Sequence, residues 1–245
     1  MSLVGDSLRR LQHRLRSSSG ERITDSQPGL CKFLKSRQEV ELCTAYLRRN
    51  GFVSHSLRCK DWDLAHIVPD IGDGDVLDMG SSDSYLLKNL SYRWRRGGLV
   101  GIDLREPDIP VSGARYVVGD LMDTRLPAAS FRYVTCLSVL EHQVDFARFA
   151  TEASRLLADG GRLYVTFDYW EPRVSTRGKL YGLDWQPLDA AATRVLQAAC
   201  AAQGLRMAAE MDWSLGDPVI QEGYYSPQPG VRYTFGLVVF DKAAR

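Results

Sequence analysis

From Asp75 onward the chain alternates short apolar runs with helical stretches, and this alternation constrains the fold more than any other feature. The runs are DVLDMG, GLVGIDL, RYVVGDL, YVTCLSV and GRLYVTF, with LRMAAEM and YTFGLVVF near the end. Between them stand YLLKNLSYRW, FARFATEASRLLADGG and LDAAATRVLQAACAAQG. Strands that alternate with helices pair in parallel, with helices covering both faces. The last two runs have no good helix between them, so they are expected to pair as an antiparallel hairpin. The loop that joins them, SLGDPVIQEGYYSPQPGVR, is long, and long loops in compact domains are often functional. The predicted fold is α/β: a doubly wound, seven-stranded, mostly parallel sheet with a C-terminal antiparallel hairpin and an N-terminal helical extension. Residues 1–70 are assigned to the extension and residues 71–245 to the main domain.

Within the extension, Leu8, Leu11 and Leu15 share a helical face, with Arg9, Arg10, Arg14 and Arg16 around it. Such a helix is a solvated terminus, a lid, or a contact for an anionic surface. A second helix is expected between Gly29 and Gly51, stopped by that glycine. Lys60, Asp61, Trp62 and Asp63 then precede the first strand, where they would cover a cofactor.

The 31 basic and 30 acidic residues leave a net charge of +1, so no global field argues for nucleic acid. Cys31, Cys43, Cys59, Cys136 and Cys200 form no CxxC pair, which speaks against a zinc site or a disulfide framework and for reduced thiols in a cytoplasm. No apolar run approaches a membrane span. The expected partner is a small-molecule acceptor, and the N-terminal helices leave a homodimer contact open.

Parallel sheets bind ligands at the carboxyl ends of their strands. The stretch DMGSSDS lies there, after the first run. Gly80 follows Asp78 by two residues, and Ser81, Ser82 and Ser84 keep the turn small, although the stretch is not a GxGxxG pyrophosphate cradle. Asp103 ends the second run, where a carboxylate can accept hydrogen bonds from both hydroxyls of a ribose. Asp120 ends the third, placed to face an adenine amino group.

From about Asp75 to Phe240 the chain resembles the class I S-adenosylmethionine-dependent methyltransferases. DVLDMGSSDS looks like their DxGxGxG motif with serines at the second and third glycines, and GIDL resembles their ribose-binding strand end. YVVGDLMDTRLPAASFRYVTCLSVLEH resembles their adenine-binding stretch running to the active site, and RLLADGGRLYVTF their LLKPGG segment. Arg132 departs from an aspartate common in this pattern. The resemblance implies S-adenosylmethionine as cofactor and S-adenosylhomocysteine as product. It implies cofactor contacts at Asp78, Gly80, Ser81, Ser82, Ser84, Asp103, Leu104, Asp120, Leu121 and Ser138.

Methyl transfer from a sulfonium is an in-line displacement, so a hydroxyl acceptor needs alignment and a base. Glu141 and His142 follow the fourth strand. His142 has a natural pKa suited to a base near neutrality and is the expected general base, with Glu141 orienting it or touching substrate. In ubiquinone-pathway and small-RNA O-methyltransferases, which this stretch also resembles, ExxEH binds a metal. Ser138 stands here in place of the first glutamate, so a divalent site would need other ligands, Asp168 among them. Asp168, Tyr169, Trp170 and Trp185, with Tyr225 from the late loop, are expected to hold the acceptor, because aromatics interleaved with carboxylates suit a sugar ring. A looser likeness to bacterial methyltransferases of glycans and secondary metabolites implies O-methylation of a sugar-containing molecule. N- or C-methylation, and a non-catalytic scaffold, remain open at this stage.

Overall fold

The structure, a computed structural model, describes residues 30–93 and 95–244. The arginine-rich helix expected around Leu8 to Arg16 lies outside the described residues.

The parallel core is built from β2 (Val76–Met79), β3 (Leu99–Asp103), β4 (Ala114–Val118), β5 (Phe131–Leu137) and β6 (Leu157–Tyr169). β7 (Lys179–Leu180) and β8 (Leu183–Asp184) pair apart as a small antiparallel sheet, β10 (Thr234–Lys242) runs antiparallel against β6, and β9 (Leu205–Met207) runs antiparallel against β10. The expected C-terminal antiparallel pair is therefore formed. The strand order is β4-β3-β2-β5-β6-β10, and β9 completes the seven-stranded sheet that the sequence predicts. β2 is buried at all four positions because it has a parallel neighbour on each side and helices on each face.

The helices divide between the two faces. α1 (Arg37–Arg49), α2 (Asp61–Ile67) and α3 (Tyr85–Ser91) cover one face; α4 (Phe146–Leu156) and α5 (Ala190–Ala202) cover the other. Along β10 the period of two sends Leu237 and Val239 into the first core and Val238 and Phe240 into the second. The helix starts are written in the chain. Asp145 accepts from the N–H groups of Ala147 and Arg148 to open α4, and Asp189 accepts from that of Ala192 to open α5.

One expectation is corrected. The stretch from Gly29 to Gly51 is not one helix. Lys32–Phe33 form β1, an eighth strand, antiparallel to Leu237 and Gly236 on the outer edge of β10. The helix begins only at Arg37, where Ser36 accepts from the Glu39 N–H. The extension is thus part of the sheet, and its helices share one hydrophobic core with β2, β3, β6 and β10.

Candidate active site

The turn after β2 shows how serines replace glycines. The N–H groups of Gly80 and Ser81 both donate to the Ile102 carbonyl, at 2.8 and 3.0 Å, folding the turn over β3. Gly80 has φ +76°, and a Cβ there would overlap the Val139 methyl groups. Ser82, at the second glycine position, takes φ +39°, the left-handed backbone that a glycine adopts freely. Ser84, at the third, caps α3 by accepting from the Leu87 N–H at 3.0 Å. Its hydroxyl also donates to Asp78 Oδ2 at 2.6 Å, while Thr135 donates to Asp78 Oδ1 at 2.6 Å. Asp78 is buried with both oxygens engaged, so its side chain braces the turn from beneath. Burial pushes its carboxyl up to about 6 against the pull of the two hydroxyls.

Gly80→Ala should therefore cost about 2–4 kcal/mol, from overpacking and left-handed strain together. Urea denaturation checks this, and an unchanged midpoint would show that the turn relaxes.

Asp103 Oδ2 accepts from the Ser82 N–H at 2.9 Å, and its other oxygen accepts nothing among the described residues. The buried Ser81 hydroxyl likewise has no partner. Asp120 accepts from the Met122 N–H at 2.8 Å and lies 3.6 Å from Arg148. Leu104 is exposed, and Leu121 is partly buried against the core. A glycine-shaped turn, an unfilled carboxylate oxygen and an orphaned hydroxyl at adjoining strand ends fit an adenosine-bearing cofactor.

The second half of the site lies at the ends of β5 and β6. Period two turns Thr166 and Asp168 toward α2, where they meet Lys60 and Asp63. The Lys60 ammonium lies 3.7 Å from Asp63 Oδ2 and 3.9 Å from Asp168 Oδ1, and 3.6 Å from the Phe235 ring centroid. It donates to Ser138 Oγ. Trp185 Nε1 donates to Asp168 Oδ2 at 2.9 Å, and the Asp168 N–H points to Glu141 Oε1 at 3.4 Å. Asp63 Oδ1, Asp168 Oδ1 and Glu141 Oε2 are buried without a hydrogen-bond partner among the described residues.

The protonation states follow. Burial, then the Asp168 charge, raises Glu141 well above the usual carboxyl range. Burial also raises Asp168, opposed by Lys60, and raises Asp63 to about 6. Burial alone would depress Lys60, but Asp63, Asp168 and Glu141 outweigh it and raise its pKa. The cluster holds one ammonium among three carboxyl groups that compete for protons.

His142 is half-buried, its Nδ1 without a partner and its ring 6.2 Å from that of Tyr181. Burial lowers its pKa, and Asp168 pulls part of that back. The expected pairing of Glu141 with His142 is not formed. Glu141 is only 2 % exposed and turns inward toward Asp168.

The acceptor residues separate. Asp168 and Trp185 join the cluster, and Trp170 is half-buried at the end of β6. Tyr169 is turned to the opposite sheet face by strand alternation and stacks on Phe33 at 4.1 Å, away from Asp168. Tyr225 lines a separate cavity beside α1. Of the four residues before β2, Lys60 and Asp63 enter the site. Asp61 instead braces the chain by accepting from Thr44 and the His55 N–H, and the buried Trp62 donates to Glu39. Among the described residues no three His, Cys, Asp or Glu side chains converge as metal ligands, and an ammonium lies between Asp63 and Asp168. This donor set does not fit a divalent ion.

Residues 77–165 match the family described as a methyltransferase domain. The chain carries a methyltransferase domain over that stretch. Solved structures share its fold. A methyltransferase dependent on S-adenosylmethionine from Mesorhizobium loti has 16% identity and TM-score 0.53, covering 75% of this chain and 98% of its own. The YcgJ protein of Bacillus subtilis has 13% identity and TM-score 0.55, covering 74% and 98%. Geranyl diphosphate C-methyltransferase from Streptomyces coelicolor has 14% identity and TM-score 0.52, covering 96% and 98%. A search of curated proteins finds no match. No helix among the described residues of this methyltransferase is long and apolar enough to cross a membrane.

Proposed function

We propose that the enzyme methylates a hydroxyl of a small polar acceptor, a sugar-containing molecule being the best fit, with His142 as general base. Bound S-adenosylmethionine supplies an activated methyl group. Asp103 is the residue assigned to its ribose and Asp120 to its adenine. The observation that carries the reading is His142 itself: an imidazole with an unpartnered nitrogen, kept neutral by burial, near a carboxylate that steadies the imidazolium formed when the acceptor proton is taken. The orphaned oxygens of Asp63, Asp168 and Glu141 call for donors, and a polyhydroxylated acceptor supplies them.

Those same oxygens favour a second reading, an amine acceptor drawn to an acidic pocket. Calorimetric titration with S-adenosylhomocysteine, with Asp103→Ala in parallel, tests the cofactor half. Affinity should fall about tenfold or more in the variant, the worth of a charge-assisted bond. Transfer of labelled methyl to panels of sugars and of amines tests the acceptor half. Turnover confined to amines would overturn the O-methylation reading.

A further inference from the structure

On the outer side of the N-terminal helices is a cavity of about 510 Å³, lined by Arg48, Arg49, Arg58, Glu41, Tyr224 and Tyr225 among others. Nothing in the methyl-transfer site uses these residues. Arg58 opens the short 3-10 turn Arg58–Lys60, whose far end carries Lys60 into the buried cluster, with the buried Cys59 between. We propose that this cavity binds a phosphomonoester.

Three arginines and one glutamate line it, an excess of two positive charges in a chain whose net charge is +1. A phosphomonoester carries close to two negative charges at neutral pH, so it balances that excess where a carboxylate or sulfate ester would not. Among the described residues no ion pair or hydrogen bond engages the three guanidiniums, which leaves their planar forks available for bidentate contact with phosphate oxygens. Arg48 and Arg49 suit the last turn of α1, where cations complement the helix dipole. That accounts for two of the cations but not for Arg58, which converges from a separate turn. Tyr224 and Tyr225 meet edge to face at 4.7 Å, and Arg37 lies 4.2 Å over the Tyr224 ring, fixing an aromatic wall for the organic body of the ester.

Calorimetric titration of the protein with phenyl phosphate, inorganic phosphate and phenyl sulfate tests this at low ionic strength, where exposed charges are least screened. Phenyl phosphate should bind more tightly than either other probe. Its affinity should fall at least about tenfold in Arg48→Gln/Arg58→Gln, a change worth one charge-assisted bond. Binding of S-adenosylhomocysteine should be unchanged in that variant, which separates this site from the cofactor site. Failure of phenyl phosphate to bind at millimolar concentration, equal affinity for phenyl sulfate, or an unchanged affinity in the variant would each overturn the proposal.

Discussion

Replacing Lys60 with methionine should lower the unfolding free energy by about 3–5 kcal/mol, the cost of stripping a buried charge cluster of its cation. Among the described residues Lys60 is the one ammonium within 4 Å of Asp63 and Asp168, which are 2 % and 5 % exposed. Methionine has the volume to fill the space beside Phe235, so the loss is electrostatic rather than a cavity effect. The sign of the pH dependence follows from the two aspartates. Burial already raises the folded pKa of Asp63 from 3.8 to about 6, and losing the ammonium raises both aspartates further. A carboxyl whose folded pKa exceeds its unfolded value favours folding below that range and opposes it above. The deficit should therefore be full above the folded pKa and shrink as pH falls toward 3.8. Urea melts of both proteins near neutrality and at about pH 5 read this directly. A variant as stable as the parent near neutrality would mean that the carboxyls are protonated without help from Lys60. Adding Asp63→Asn should restore part of the loss, because neighbouring charges are not additive.

The cluster also marks the limit of what the sequence discloses. Lys60 lies in the extension and Asp168 at the end of β6, far apart in the chain, and only the period of β6 and the seating of α2 bring them together. No spacing encodes that. The alternation of strands and helices was legible because each run is apolar through its core strand and each helix opens on Asp145, Asp189 or Ser84. β1 was hidden because two residues of LCKF read as well in a helix as in a strand, and pairing with β10 alone decides. The Ser36–Glu39 spacing was a readable start signal for α1 that the apolar periodicity masked. Tyr169 was also readable: adjacent residues on a strand face opposite ways, so Asp168 and Tyr169 do not share a site. The roles of the serines after Asp78 emerge only in the folded turn. Only there does Ser82 take a glycine's backbone, while the Ser84 hydroxyl both caps a helix and ties down a buried acid.

His142→Ala should reduce kcat by about 10²–10⁴-fold on a hydroxyl acceptor, the span that a positioned general base contributes. Affinity for S-adenosylhomocysteine should stay unchanged, because His142 lies past the strand end that carries Ser138 and is not among the residues assigned to the cofactor. The pH profile separates a base from a structural prop. A base works as neutral imidazole, and burial holds the pKa of His142 below its ordinary 6.5. The parent enzyme should thus run on a plateau at neutral pH and lose activity only as pH falls below 6.5, with that limb absent from the variant. Asp168 opposes the burial effect by favouring the imidazolium, so Asp168→Asn should move the limb to lower pH. A histidine that only braced the loop would slow every acceptor alike and leave the limb in place. If His142→Ala instead kept full turnover on amines while losing it on sugars, the imidazole would still be the base. The acidic pocket around Lys60 would then be a general receptacle for polar donors, with the acceptor atom chosen by whether its lone pair is free to attack without the imidazole.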